Sequence, residues 1–142
     1  MNTTLKVVHS EPIHIPGVIT LETKCEALCD ALAKRVVEKN FGEAHALLAP
    51  WLQQAMSPTD IEHLVSSAGA GSARTWTLDE GFLGVEDLGG PNQITKSNYR
   101  GWFCIQFNPG EGHGDGSFDL WLAAVETDGD YRVGLIEAAE AD

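Results

Sequence analysis

Residues 21–37 read LETKCEALCDALAKRVV, and the fold follows from how this stretch is read. Leu21, Cys25, Leu28, Leu32 and Val36 recur every three to four residues, so they fall on one face of an α-helix. Thr20 is placed to cap its start. Glu22 lies early and Lys34, Arg35 and Lys39 lie late, the charge order that complements the helix dipole. The pattern runs to Asn40. A helix with one apolar stripe must bury it, so the rest of the chain has to supply an apolar surface.

Downstream, Phe41-Gly42 interrupts the periodicity, and Ala44, Leu47, Leu48, Trp51 and Leu52 resume it on a second helix that Pro50 should kink or split. Ser57, Pro58 and Asp60 then form a capping-box start for a third helix, whose buried face would be Ile61, Leu64, Val65 and Ala68. Gly69-Ala70-Gly71-Ser72 ends it. Strand-like sequence follows. Trp76, Leu78, Phe82, Leu83 and Val85 mark a first strand region, with Gly81 and Gly84 as bends, and residues 88–92 form a turn. Residues 99–107 are the clearest strand, with Tyr99, Gly101, Phe103, Ile105 and Phe107 on one side and Arg100, Trp102, Cys104 and Gln106 on the other.

The last two strands can be read in register. Asp128-Gly129 is a two-residue hairpin turn, and pairing Thr127 with Asp130 places Ala124 opposite Val133, Leu122 opposite Leu135 and Trp121 opposite Ile136. Matching Phe107 with Phe118 sets Ile105 beside Leu120 and Phe103 beside Leu122, a continuous face for the helix. The opposite face then collects Arg100, Trp102, Cys104, Gln106, Asp119, Trp121, Ala123, Arg132 and Ile136. That mixture is too aromatic for a solvated surface and too polar for a core, which marks an interface. Trp102, Trp121, Ala123 and Ile136 are its expected apolar centre, the flanking arginines its rim, and a homodimer its expected product.

Helices first and a sheet afterwards give an α+β class, with three N-terminal helices packed on a mainly antiparallel sheet. Residues 1–20, with Pro12, Pro16 and Gly17 around Val7-Val8 and Ile13-His14-Ile15, read as an extended arm, and residues 21–142 as one domain. Nine Lys and Arg against 21 Asp and Glu leave a net charge of −12, which repels nucleic-acid phosphates and anionic membranes. A basic protein partner or a small apolar ligand remains compatible. Met1 to Leu5 lead into Lys6 with no apolar run, so neither a signal peptide nor a membrane span is expected and the compartment is read as cytoplasmic.

The chemistry-bearing residues form no specific motif. Cys25, Cys29 and Cys104 are odd in number and read as reduced core thiols. His9, His14, His45, His63 and His113 lack metal-ligand spacing, so no metal and no cofactor is expected. The loop at residues 108–116, NPGEGHGDG, shares only its glycines with a phosphate loop, and His113, Asp115 and Asp119 do not match a calcium-loop order. No G-x-S-x-G is present.

The run Lys39-Asn40-Phe41-Gly42-Glu43-Ala44-His45-Ala46-Leu47-Leu48-Ala49-Pro50 after a long first helix, with a capped helix and antiparallel strands behind it, resembles the nuclear transport factor 2-like (cystatin-like) superfamily over residues 21–137. The resemblance implies a curved sheet wrapped around the long helix into a cone, a pocket at its open end and frequent dimerisation through the outer sheet face. It leaves function open, because the superfamily holds isomerases, dehydratases, polyketide cyclases and epoxide hydrolases besides non-catalytic domains. A non-catalytic ligand-binding or protein-interaction domain is the first reading, motivated by the acidic surface, the mixed aromatic face and the missing catalytic set. The alternative is a proton-transfer enzyme acting in the cone, for which Asp30, His45, His63 and Tyr99 are the candidate groups.

Overall fold

A computed structural model describes residues 6–7, 20–67, 73–109 and 118–139, with side chains described at 23–66, 73–108 and 118–138. The element order is β1 (Lys6–Val7), α1 (Thr20–Val37), α2 (Phe41–Ala46), α3 (Pro50–Ala55), α4 (Pro58–Ser67), β2 (Ala73–Gly81), β3 (Tyr99–Pro109), β4 (Phe118–Thr127) and β5 (Asp130–Ala139). The class is α+β, and every pairing in the sheet is antiparallel, in the order β1-β2-β3-β4-β5. No helix among the described residues is long and apolar enough to cross a membrane. The arm contributes the two residues of β1, which pair with Leu78 and Asp79. His9, His14, His113, Thr20, Leu21, Ala68 and the loop at residues 110–117 lie outside the described side chains.

The stripe on α1 is the centre of the core. Cys25, Leu28, Cys29, Leu32, Ala33 and Val36 are all buried, in one cluster with Leu78, Phe103, Ile105, Phe107, Phe118, Leu120 and Leu122. The β3–β4 register pairs Phe107 with Phe118, Ile105 with Leu120 and Phe103 with Leu122, as the alternation predicts. All of these therefore share the helix-covered face. The helix stops three residues short of Asn40. Lys39 takes a positive φ of 60°, and the Lys39 and Asn40 amides donate to the carbonyls of Val36 and Arg35, closing the last turn. Asn40 then caps α2 through the Glu43 amide, and Ser57 and Asp60 exchange the two capping-box bonds at α4.

Among the described residues four α-helices stand where the sequence suggests three, because Pro50 splits the second instead of bending it. The ring at the first position of α3 has no amide to continue the helix, and Ala49 before it is extended, at φ −64° and ψ 155°. The break is put to use. Ala49 donates to the Val133 carbonyl at 2.7 Å and Val133 donates to the Leu47 carbonyl at 2.9 Å, so the gap between α2 and α3 runs as a parallel bridge along β5.

The same place on β5 carries a bulge that shifts the expected register. Ala124 pairs with Val133, but Ala123 pairs with Leu135, leaving Gly134 as the extra residue. Beyond it, Leu122 faces Ile136 and Trp121 faces Glu137. Trp51 sits over the bulge, with its indole N–H donating to the Gly134 carbonyl at 2.9 Å. A Cβ on Gly134 would lie 2.8 Å from Val125 Cγ1 and 3.2 Å from both Ile94 and Trp51.

Two stability measurements test this packing. Leu32→Ala removes a fully buried side chain and should lower the unfolding free energy by about 2 to 5 kcal/mol in urea; an unchanged midpoint would contradict the stripe. Gly134→Ala should destabilise by about 1 to 3 kcal/mol, since the new methyl has no room unless Val125 moves.

Candidate functional site

The four groups singled out for proton transfer are not brought together, and three of them are engaged by partners of their own. Asp30 on α1 accepts from the Trp76 indole N–H at 2.9 Å, a tie between helix and β2. His45 points Nε2 at two carbonyls, Gln53 at 3.0 Å and Met56 at 2.7 Å. Carbonyls only accept, so this nitrogen carries the proton and the ring fastens α2 to α3. His63 is exposed on α4, beside the capping box. Burial pushes the Tyr99 hydroxyl up to about 12, and it donates to the Leu83 carbonyl at 2.6 Å.

Tyr99 also lies on a different face from the one expected. A bulge between Tyr99 and Gly101 makes Arg100 the extra residue, so Tyr99 pairs with Val125 and packs with Trp102 on the side away from α1. Asp30 and Tyr99 are thus on opposite sides of the sheet. A surface cavity of about 210 Å³, lined by Pro50, Gln53, Thr127, Asp128, Asp130 and Arg132, contains none of the four. No group of three His, Cys, Asp or Glu side chains among the described residues is arranged to hold a metal ion.

The outer face of the sheet has two parts. Over its Ala123 and Val125 end lies the segment 82–98, whose Val85, Leu88 and Ile94 form a small second core with Ala49, Trp51 and Leu135. Ala123 is fully buried there, so it is packing and not open interface. Ile136 also leaves the expected patch, because the Gly134 bulge turns it to the helix side, where it is buried in the main core. The rim arginines are occupied inside the chain: Arg100 pairs with Glu126 at 2.8 Å, and Arg132 donates to the Ala46 carbonyl at 2.8 Å.

What remains at the other end is a pair of stacked tryptophans. Trp102 and Trp121 have ring centroids 5.6 Å apart and planes 12° from parallel, and both are part-exposed. Gly81 on β2 makes the stack possible. A Cβ there would stand 2.8 Å from Trp102 Cδ1 and 2.9 Å from Trp121 Cζ3, so the Trp121 ring reaches from β4 across β3 to β2. Cys104, the register neighbour of Trp121, is left only 3% exposed. Burial first, then the negative charges of Asp119 and Asp79, push its thiol up to about 12. It is a protonated packing group, not a nucleophile.

Acids border the stack. Asp79 pairs with Cys104 from β2, Glu137 pairs with Trp121 from β5, and Asp119 lies two residues along β4 from Trp121. Asp79 Oδ1 is sealed from solvent and receives no hydrogen bond. The alternating pattern points to this face, and Trp102 and Trp121 are where it was expected. Asp79 was missed, since its place depends on pairing β2 with β3 across the whole segment 82–98. The chain matches no family profile, no curated protein and no solved structure.

Gly81→Ala tests the stack, and should force the indoles apart and lose the near-ultraviolet circular dichroism of the coupled pair while the far-ultraviolet spectrum stays. An intact near-ultraviolet signal would mean that the rings do not rest on Gly81. A raised thiol pKa favours folding below the unfolded value near 9 and loses that contribution as pH climbs through 12. Stability should therefore decline between pH 9 and 12, and Cys104→Ala should flatten that decline; an equal slope in the variant would contradict the assignment.

Proposed function

We propose that the chain is a non-catalytic protein-interaction domain of nuclear transport factor 2-like architecture, its sheet wrapped around α1 as a cone and its working surface on the outer face. The order of elements supports the architecture: helices first, then an antiparallel meander with the long helix packed against one side. The observation that carries the function is the part-exposed Trp102–Trp121 stack, on the side of the sheet away from α1. Large aromatics left part-exposed on a rigid sheet are the anchors on which protein interfaces concentrate their binding energy. The dispersal of Asp30, His45, His63 and Tyr99 weighs against the proton-transfer reading, which needs an acid and a base at one reacting centre.

The sequence suggests self-pairing through this face with arginines as rim partners. Arg100 and Arg132 are engaged within the chain, so a two-fold contact would set Asp79, Asp119 and Glu137 against their own copies. A partner of another kind fits better.

Trp121→Glu separates a docking surface from buried packing. If the indole serves an interface, the isolated variant should lose less than about 2 kcal/mol of stability, since the new carboxylate stays in water. Loss of more than about 3 kcal/mol, the range of a charge forced into a core, would contradict the reading.

A further inference from the structure

The outer face combines three features whose requirements coincide. The stacked indoles offer π-faces, which attract cations. Asp79, Asp119 and Glu137 beside them take part in no ion pair among the described residues. Asp79 is itself part-exposed and its Oδ1 receives no hydrogen bond, so the carboxylate keeps accepting capacity for a donor that approaches from solvent. One chemical group answers all three: a guanidinium is planar, stacks on indole, and carries several N–H donors in a fork that fits carboxylates.

Resting on the reading of this face as an interaction surface, we infer that it docks a basic segment of a partner protein, with an arginine laid on Trp121 and Trp102 and its guanidinium donating to Asp79. A chain of net charge −12 would also draw such a segment in by long-range attraction. Trp51 and Trp76 take no part, because Trp51 packs against the second core and Trp76 against the main core on the helix side.

The test is a titration of the 15N-labelled protein with the capped peptide Ac-Leu-Arg-Ala-Arg-Leu-NH2, following the four tryptophan indole N–H signals. The signals of Trp102 and Trp121 should move while those of Trp51 and Trp76 stay. Replacing both arginines of the peptide by neutral, isosteric citrulline should weaken binding at least tenfold. Asp79→Asn should do the same, whereas Glu62→Gln, an equal charge change at an exposed site on α4, should alter affinity less than twofold. The unliganded spectrum of each variant reports whether it is folded, and Asp119→Asn, expected to weaken binding several-fold, serves if Asp79→Asn is not.

Equal weakening by Glu62→Gln would mean diffuse charge attraction and would overturn the inference. So would an Asp79→Asn variant that binds as the original does. A stable dimer that Trp121→Glu dissociates and the peptide does not compete with would give the face to a second copy, overturning the arginine and leaving the interaction surface standing. A monomer whose Trp102 and Trp121 signals ignore the peptide, and which Trp121→Glu unfolds, would remove both.

Discussion

The burial of the Cys25, Leu28, Cys29, Leu32 and Val36 stripe against Phe103, Ile105 and Phe107 is the contact on which the rest depends. A strand sends alternate side chains to opposite faces, so once that row is committed to the helix, Trp102, Cys104 and Gln106 must face away from it. The outer face is then a necessary product of the inner one. Segment 82–98 covers one end of it with Val85, Leu88 and Ile94, and at the other stand the two stacked indoles, with the buried Cys104 opposite Trp121 in register.

Two features that are costly alone are resolved together on β5. Pro50 breaks a helix and leaves backbone groups near Ala49 to be paired; Gly134 interrupts a ladder and leaves its carbonyl to be paired. The extended residues 47–49 pair with Val133, and Trp51, one residue past the proline, donates to Gly134. Each irregularity supplies what the other lacks. The bulge also sets the make-up of the outer face, since the shift of one residue takes Ile136 out of it and puts Leu135 there.

Local signals were the legible part. The helical stripe, the Ser57–Asp60 capping box, the Asp128-Gly129 turn and the β3–β4 register are written in neighbouring residues, and the sequence reading found them. The bulges at Arg100 and Gly134 were not found, although Gly101 and Gly134 inside strand sequence are the residue type that marks them. A bulge moves every residue beyond it to the other face, which is why Tyr99 and Ile136 were misplaced while Trp102 and Trp121 were not. The covering of Ala123 by segment 82–98 has no local signature at all. Nor does the unsatisfied Asp79 Oδ1, whose place is seen only when the strands are set side by side.

On the proposed reading, the helix side of the sheet is closed and the tryptophan side is the one that meets a partner. A soluble gadolinium chelate added to the labelled protein measures this directly through the relaxation of individual protons. The ring protons of Trp121 should relax strongly while the methyls of Ile136 and Leu122 are left unaffected. Strong relaxation at Ile136 with a protected Trp121 would contradict it, placing the working face on the other side of the sheet.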